Sequence, residues 1–241
     1  MDTYNNKGNQ FLLQGSILAA SSLIVRMIGL IYRIPMTRII GDEGMGLYTV
    51  AYELYSIALI LSSYSLPLAV SKLVAAKNIT REYRNSFRIF ICAMGFALVV
   101  GTIATLVLFL GADFFATVLN NDANAILPIR VLAPTLFVFS IMGVFRGFYQ
   151  GKNTMVPTAI SQVIEQIVNS VVSVLAAYVF MKNNSASEQI AAYGAAGATL
   201  GTLMGAIAGL LFLMFVYMVY RPTLRKQIIA DRISKTDSYK D

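Results

Sequence analysis

Two arginines are the residues of this sequence whose type and spacing most directly indicate chemistry. Arg26 and Arg33 lie seven residues apart in a long apolar stretch, so both project from one face of a helix, which Ser22 and Gly29 complete. A charge in mid-membrane costs about 2.5–3.5 kcal/mol and therefore faces a partner or a water-filled cavity. The pattern predicts one of two arrangements. The arginines form a cationic wall for an anionic ligand such as a phosphate, or Arg26 pairs with a buried carboxylate while Arg33 reaches the membrane surface.

A second polar face lies in a later apolar stretch. Its spacing of three and four residues places these side chains on one side of a helix: Gln162, Glu165, Gln166, Asn169 and Ser173. Such a face in a membrane-spanning helix must look inward. It indicates either hydrogen bonding between helices or the lining of a cavity, and the sequence leaves both open.

Glu53 is the other carboxylate well inside an apolar stretch, and it lies in a row of tyrosines. Tyr48, Tyr52 and Tyr55 surround it along the chain. Tyrosines at the end of a membrane span are typical of an interfacial belt, and this interpretation is favoured over a ligand cage. Glu53 itself is a candidate for the lining of a cavity.

Several chemistries are excluded by composition. The chain has no histidine and one cysteine, Cys92, so it can form neither a histidine-ligated metal site nor a disulfide within itself. The acidic pair Asp42-Glu43 lies in a short polar turn between glycines. We therefore expect no metal, no cofactor and no enzymatic activity; a membrane-embedded enzyme would need a metal-binding acidic pair or an activated nucleophile.

The elements that position these residues are transmembrane helices. Of the 241 residues, 57% are hydrophobic and 13% charged, against roughly 45–50% and 25% in soluble chains. Because about 20 apolar residues cross a bilayer, the sequence predicts an all-α polytopic membrane protein: a bundle of six helices at 14–40, 47–74, 87–111, 127–149, 156–181 and 190–219.

Two smaller patterns predict how these helices pack and bend. Glycines recur every fourth residue at 197, 201, 205 and 209, which predicts close helix–helix approach. Pro67 and Pro134 fall within predicted spans and should kink them.

The basic residues predict the orientation. At the ends of the six spans, three lie on one side (Arg38, Arg130 and Lys182) and fourteen on the other. Those fourteen are Lys7, Lys72, Lys77, Arg81, Arg84, Arg88, Arg146, Lys152, Arg221, Arg225, Lys226, Arg232, Lys235 and Lys240. The positive-inside rule therefore predicts that both termini are cytoplasmic, and it accounts for the net charge of +7 without nucleic-acid binding.

Several motifs together resemble a known family. They are Val25-Arg-Met-Ile-Gly-Leu-Ile-Tyr-Arg-Ile-Pro35, Thr37-Arg-Ile-Ile-Gly41, Phe145-Arg-Gly-Phe-Tyr-Gln-Gly-Lys-Asn153, Val156-Pro-Thr-Ala-Ile-Ser-Gln162 and Glu165-Gln166. From about residue 10 to its end the chain resembles the MOP flippase superfamily, in the branch of MurJ and stage V sporulation protein B, which are bacterial lipid II flippases and polysaccharide exporters.

The resemblance implies two six-helix lobes around a cavity that opens alternately to the two sides of the bacterial cytoplasmic membrane. It further implies a substrate such as lipid II, an undecaprenyl-pyrophosphate-linked saccharide whose pyrophosphate Arg26 and Arg33 would engage. Residues 1–233 would be the N-terminal lobe and 234–241 the start of a cytoplasmic linker to a second lobe. The implied partners are therefore the lipid-linked oligosaccharide, membrane lipids and that second lobe.

This sequence departs from the family pattern in two places. Its second arginine follows the first by seven residues instead of six. A further family arginine on the second span has no counterpart here, since this span carries Glu53 and no arginine. A drug or cation antiporter of the same superfamily is therefore the alternative, with Glu53 or Glu165 as the carboxylate that binds the coupling ion.

Overall fold

The computed structural model describes the backbone of residues 2–234 and the side chains of residues 14–234. Within this range the chain forms helices and no strand, which confirms the all-α prediction. The helices are α1 (Asp2–Ser62), α2 (Leu66–Ile79), α3 (Tyr83–Leu110), α4 (Ala112–Phe114), α5 (Ile126–Leu132), α6 (Thr135–Gly151), α7 (Val156–Asn183) and α8 (Ile190–Ala230). A π-helical turn (Phe115–Leu119) and a 3₁₀ turn (Ala123–Ala125) join α4 to α5.

Five helical stretches of the described chain are long and apolar enough to cross a membrane. They are Gln14–Ile79, Tyr83–Leu110, Ala123–Gly151, Val156–Asn183 and Ile190–Ala230. The predicted spans 14–40 and 47–74 both fall within the first, which has 66 residues. At 1.5 Å per residue that stretch is roughly 100 Å long, more than three times the hydrocarbon thickness of a bilayer.

Gly41 divides α1 into two arms. Its φ of 68° and ψ of −178° interrupt the helical backbone in a left-handed conformation that glycine adopts readily and residues with a Cβ do not. We call the part of α1 before Gly41 the N-terminal arm and the part after it the C-terminal arm. The predicted polar turn at 41–44 is therefore a kink at its first residue, after which the helix resumes.

The two prolines separate helices where kinks were predicted. Residues 63–65 form a non-helical turn between α1 and α2. Pro67 lies in the first turn of α2, where a backbone N–H has no hydrogen-bond partner within the helix, so the missing N–H of proline costs nothing. Pro134 lies between α5 and α6. The predicted spans 47–74 and 127–149 are therefore each built from two helices. The Ser63 hydroxyl, at the first break, hydrogen-bonds with the Ser140 hydroxyl of α6.

Close packing of α8 on α7 confirms the prediction made from the glycine repeat. A Cβ at Gly197 would lie 2.6 Å from the backbone of Ala176, and a Cβ at Gly205 would lie 2.6 Å from the carbonyl oxygen of Glu165. At the same seam the Ser173 hydroxyl donates a hydrogen bond to a backbone oxygen of α8 at 2.8 Å. The two helices therefore approach to backbone contact.

An ion pair joins α6 to α7 inside the bundle. Arg146 Nη2 lies 2.7 Å from Glu165 Oε2, with only 11% and 21% of the two side chains exposed, and Arg146 Nε donates to Ser161 Oγ at 3.2 Å. Sequence analysis counted Arg146 among the basic residues at one side of the membrane. The structure shows in addition that its guanidinium turns inward and pairs with a carboxylate of the neighbouring helix, which the sequence did not predict.

Alanine at position 201 should destabilise the bundle. A Cβ there would lie 2.7 Å from the Asn169 carbonyl oxygen, and forced overpacking of this kind costs about 1–3 kcal/mol. Gly95, in α3, has nothing within 4 Å of an added Cβ, so Gly95→Ala is the matched control and should gain from the better helix propensity of alanine. Thermal stability in detergent should therefore fall for Gly201→Ala and hold or rise for Gly95→Ala. Equal changes in the thermal stability of both variants would contradict the close packing of α8 on α7 at Gly201.

Removing Arg146 should lower the membrane abundance of the protein. Arg146→Ala leaves the Glu165 carboxylate without its partner inside the bundle, which costs about 3–5 kcal/mol for buried pairs. Adding Glu165→Gln to the same chain removes the stranded charge and should restore most of the abundance. If Arg146→Ala alone accumulates like the parent protein, the pair does not stabilise the bundle.

Candidate functional site

A cavity of about 370 Å³ lies between the two arms of α1 and helix α7. The N-terminal arm contributes Arg26 and Arg33, the C-terminal arm Glu53, and α7 Gln166 and Asn169. The remaining lining residues are Val25, Gly29, Tyr32, Met36, Tyr48, Thr49 and Tyr52. One kinked helix therefore supplies most of the wall.

The kink and the α7–α8 seam position these side chains. Because the backbone of Gly41 is left-handed, the C-terminal arm of α1 places its side chains beside the same cavity that the N-terminal arm lines. Gly29 lies where the N-terminal arm approaches α7, since a Cβ there would be 3.5 Å from Gln166 Nε2. Polar groups of three helical segments thus converge on one cavity.

The charged groups of the cavity form no ion pair among the described residues. Arg26, Arg33 and Glu53 are all exposed, and across residues 14–234 none of them has an ion-pair partner within 4.0 Å. The alternative in which Arg26 pairs with Glu165 is wrong, because Glu165 pairs with Arg146. Two guanidinium groups therefore remain available to a ligand.

Six of the nine candidate residues from the sequence line this cavity: Arg26, Gly29, Arg33, Glu53, Gln166 and Asn169. The other three do not, since each has a local partner. Ser22 Oγ donates to the Leu18 carbonyl at 2.9 Å, as helix serines commonly do. Gln162 Oε1 accepts from Ser21 at 3.4 Å, and Glu165 is in the ion pair. The polar face of α7 is therefore divided, with part of it packing the bundle and part lining the cavity.

Two of the three tyrosines, Tyr48 and Tyr52, line the cavity, which the interfacial belt favoured from the sequence did not predict. The rings of Tyr48 and Tyr52 stack with centroids 5.8 Å apart and planes 25° apart, and both line the wall beside the arginines. Tyr55 is buried at 2% exposure. Sequence reasoning missed this because the tyrosines and the arginines meet only through the fold at Gly41.

The cavity combines groups that suit an anionic, hydroxyl-rich ligand. Each of the two guanidinium groups can donate two parallel hydrogen bonds to a phosphate. The side-chain amides of Gln166 and Asn169 and the tyrosine hydroxyls supply neutral donors and acceptors. Within residues 14–234, no group of three or more Cys, Asp or Glu side chains is arranged to hold a metal ion.

The sequence matches a family and several of its members. The model of the polysaccharide biosynthesis protein family matches residues 12–236. Stage V sporulation protein B of Bacillus subtilis is 32% identical over 217 residues, which cover 90% of this chain and 40% of that protein. The lipid II flippase MurJ of the same organism is 34% identical over 215 residues, 86% of this chain and 39% of its own length. The chain thus spans about 40% of the length of these relatives.

A solved structure has the same fold. It is a MOP superfamily transporter from Pyrococcus furiosus, for which a reverse polarity of the binding pocket suggests a different function. The TM-score is 0.63 at 17% identity, over 89% of this chain and 49% of that one. On these matches and on the motifs that carry them, the chain belongs to the polysaccharide biosynthesis protein family.

Proposed function

We propose that this chain forms one lobe of a flippase that moves an undecaprenyl-pyrophosphate-linked saccharide, such as lipid II, across the bacterial cytoplasmic membrane. The observation that carries the proposal is the pair of arginines in the α1 cavity, neither of which has a carboxylate within 4.0 Å among residues 14–234. Membership in the family of MurJ supports the transport role. The protein is a membrane transporter and not an enzyme on this proposal.

The chemistry of a pyrophosphate fits this cavity. Two adjacent phosphoryl groups carry charge close together, and each can accept two parallel hydrogen bonds from a guanidinium. Arg26 and Arg33 present two such forks from one face of α1. The stacked rings of Tyr48 and Tyr52 lie beside them, where the saccharide attached to the pyrophosphate would extend.

Alternating access requires a second lobe. In transporters of this kind two repeats move against each other around a central site, and here the cavity side of α1 is exposed, with Leu30 and Ile31 about two-thirds accessible beside it. We infer that residues 1–233 are the N-terminal lobe and that 234–241 begins a linker to its mate. Of that linker, all but Ser234 lies outside the described residues.

A topology of six membrane spans with both termini on the cytoplasmic side agrees best with the lengths of the helices and the distribution of the basic residues. The kink at Gly41 divides the 66-residue stretch Gln14–Ile79 into two parts, each long enough to cross the bilayer. With Arg146 removed from the count, thirteen basic residues still lie at one side against three at the other.

Cysteine labelling tests this topology. In a Cys92→Ser background, a membrane-impermeant maleimide added to intact cells should label Asn121→Cys, in the connection after α4. It should label Arg84→Cys, at the start of α3, only after the cells are lysed, because the basic side is cytoplasmic. Reversed accessibility at both positions would overturn the orientation.

A cation or drug antiporter is the second candidate, and the unpaired carboxylate of Glu53 in the cavity favours it. A carboxylate that binds and releases a proton or a cation is what coupled antiport needs. In that case Glu53→Gln would abolish coupled transport, while replacing Arg26 would change it little.

Arg26 should be the residue on which lipid binding depends most. Arg26→Ala removes one charge-assisted fork, worth about 1.5–3 kcal/mol, so the affinity for undecaprenyl pyrophosphate in nanodiscs should fall at least roughly tenfold. Arg26→Lys should restore it only partly, because an ammonium is a point charge without the fork. Arg33→Ala should have the milder effect, since Arg33 lies nearer the end of its helical arm.

The membrane abundance of each variant is the control for this measurement. Arg26 has no ion-pair partner among residues 14–234, so its removal should leave insertion and abundance unchanged. Unchanged lipid affinity in Arg26→Ala, with transport lost in Glu53→Gln, would contradict the anion site and favour the antiporter.

A further inference from the structure

A second groove, of about 610 Å³, lies between α2 and α3, away from the α1 cavity. The residues that define it are Leu66, Leu73, Lys77, Asn85, Arg88 and Phe96. None of them lines the α1 cavity, and the transport proposal makes no use of them. We call this the α2–α3 groove.

The two ends of the α2–α3 groove differ in chemistry. Lys77, Asn85 and Arg88 lie at the end where α2 finishes and α3 begins, whereas Leu66 and Phe96 lie at the far end. Along α2 the groove runs from residue 66 to 77 and along α3 from 85 to 96, about 16 Å of helix in each case. Half of the hydrocarbon core is about 15 Å thick. The length of the groove therefore matches the depth of one leaflet, and its polar groups lie at one end of that length.

The polar end of the groove is built as a chain of hydrogen bonds. Lys77 Nζ donates to Glu82 Oε2 at 2.8 Å, Asn85 Nδ2 donates to the same oxygen at 2.8 Å, and Arg88 Nη1 donates to Asn85 Oδ1 at 3.2 Å. The hydrogen bonds that Glu82 accepts, first from Lys77 and then from Asn85 and Thr80, lower the pKa of its carboxyl to about 2, so the carboxylate is ionised at neutral pH. The basic side chains are thereby held in place at the mouth.

Basic side chains outnumber acidic ones along the chain segment that contains this mouth. Residues 72–88 contain five basic side chains and one acidic one, Glu82. A cationic mouth above an apolar groove of one-leaflet depth matches a lipid with an anionic headgroup, whose phosphate lies at the surface and whose acyl chain extends toward the bilayer centre. A zwitterionic lipid offers the same chain but carries a compensating positive charge, so it should bind less well.

We propose that the α2–α3 groove is a binding site for an anionic phospholipid of the surrounding leaflet. The phosphate contacts Lys77 and Arg88, and one acyl chain lies along Leu73 and Phe96. The site is independent of the α1 cavity and of the substrate that the cavity carries.

Cys92 allows a direct test because it is the single cysteine of the sequence, is exposed and lines the groove. It lies about 10 Å of helix beyond Asn85, at the depth of the acyl chains. The 241-residue chain is labelled at Cys92 with a bimane fluorophore and placed in nanodiscs of phosphatidylcholine. A minor fraction of the lipid in each nanodisc carries brominated acyl chains, which quench the fluorophore on contact. This brominated lipid is phosphatidylglycerol in one sample and phosphatidylcholine in the other.

The matched control moves the label around the helix at the same depth. Ile91 is 52% exposed and does not line the groove, so Cys92→Ser with Ile91→Cys reports the ordinary lipid beside α3. We expect brominated phosphatidylglycerol to quench the Cys92 label about fivefold more strongly than brominated phosphatidylcholine at equal fraction. At position 91 the two lipids should quench alike.

Two pairs of substitutions separate the groove from general surface charge. In the double variant Lys77→Gln with Arg88→Gln, brominated phosphatidylglycerol and brominated phosphatidylcholine should quench the Cys92 label to nearly the same extent. Lys72→Gln with Arg81→Gln removes the same charge from the same segment but from residues that do not line the groove, and most of the preference should remain.

Four outcomes would overturn the proposal. They are equal quenching by both lipids at Cys92, the same preference at positions 91 and 92, an equal loss of preference in both double variants, and quenching by neither lipid. The last would mean that protein covers the groove.

Discussion

The backbone contact between α7 and α8 is the constraint on which the rest of the lobe depends. Lipid tails are as apolar as the side chains they would replace, so helices in a membrane gain little from burying leucine and associate through close packing and hydrogen bonds. The glycines of α8 permit that approach, as the 2.6 Å distance from a Cβ at Gly197 to the backbone of Ala176 shows. With α7 fixed in this way, its inward face can hold Glu165 against Arg146 and present Gln166 and Asn169 to α1.

The sequence predicts those parts of this fold that depend on local patterns. Long apolar stretches predict membrane helices, and the glycine repeat predicts the α7–α8 seam, because both follow from residue type and spacing alone. The breaks are harder to predict, since a proline or glycine in a helix permits a kink, a new helix start or a turn, and tertiary packing chooses among them. Thus the region around Pro67 became a helix boundary and Gly41 a kink within α1.

The candidate site could be predicted from the sequence only within single helices. Arg26, Gly29 and Arg33 share a face by spacing, and that face does line the cavity. The stacked pair Tyr48 and Tyr52 lies on the other side of Gly41, and nothing in the spacing shows that the kink brings it to the arginines. The partner of Glu165 was equally hidden, because Arg146 lies in a segment whose sequence resembles the basic end of a span.

Arg146 differs from Arg26 and Arg33 in whether a carboxylate lies within ion-pair distance, and this difference indicates different roles. Arg146, with 11% of its side chain exposed, has a carboxylate at 2.7 Å and a serine hydroxyl at 3.2 Å, so its charge is satisfied by the protein and holds two helices together. Arg26 and Arg33 line a cavity in which the one carboxylate, Glu53, is beyond ion-pair distance. Two guanidinium groups and one carboxylate leave the cavity with net positive charge at neutral pH. Inside a membrane such a charge is tolerated only beside water or a counter-charge, and on the function proposed above the anionic substrate would supply that counter-charge.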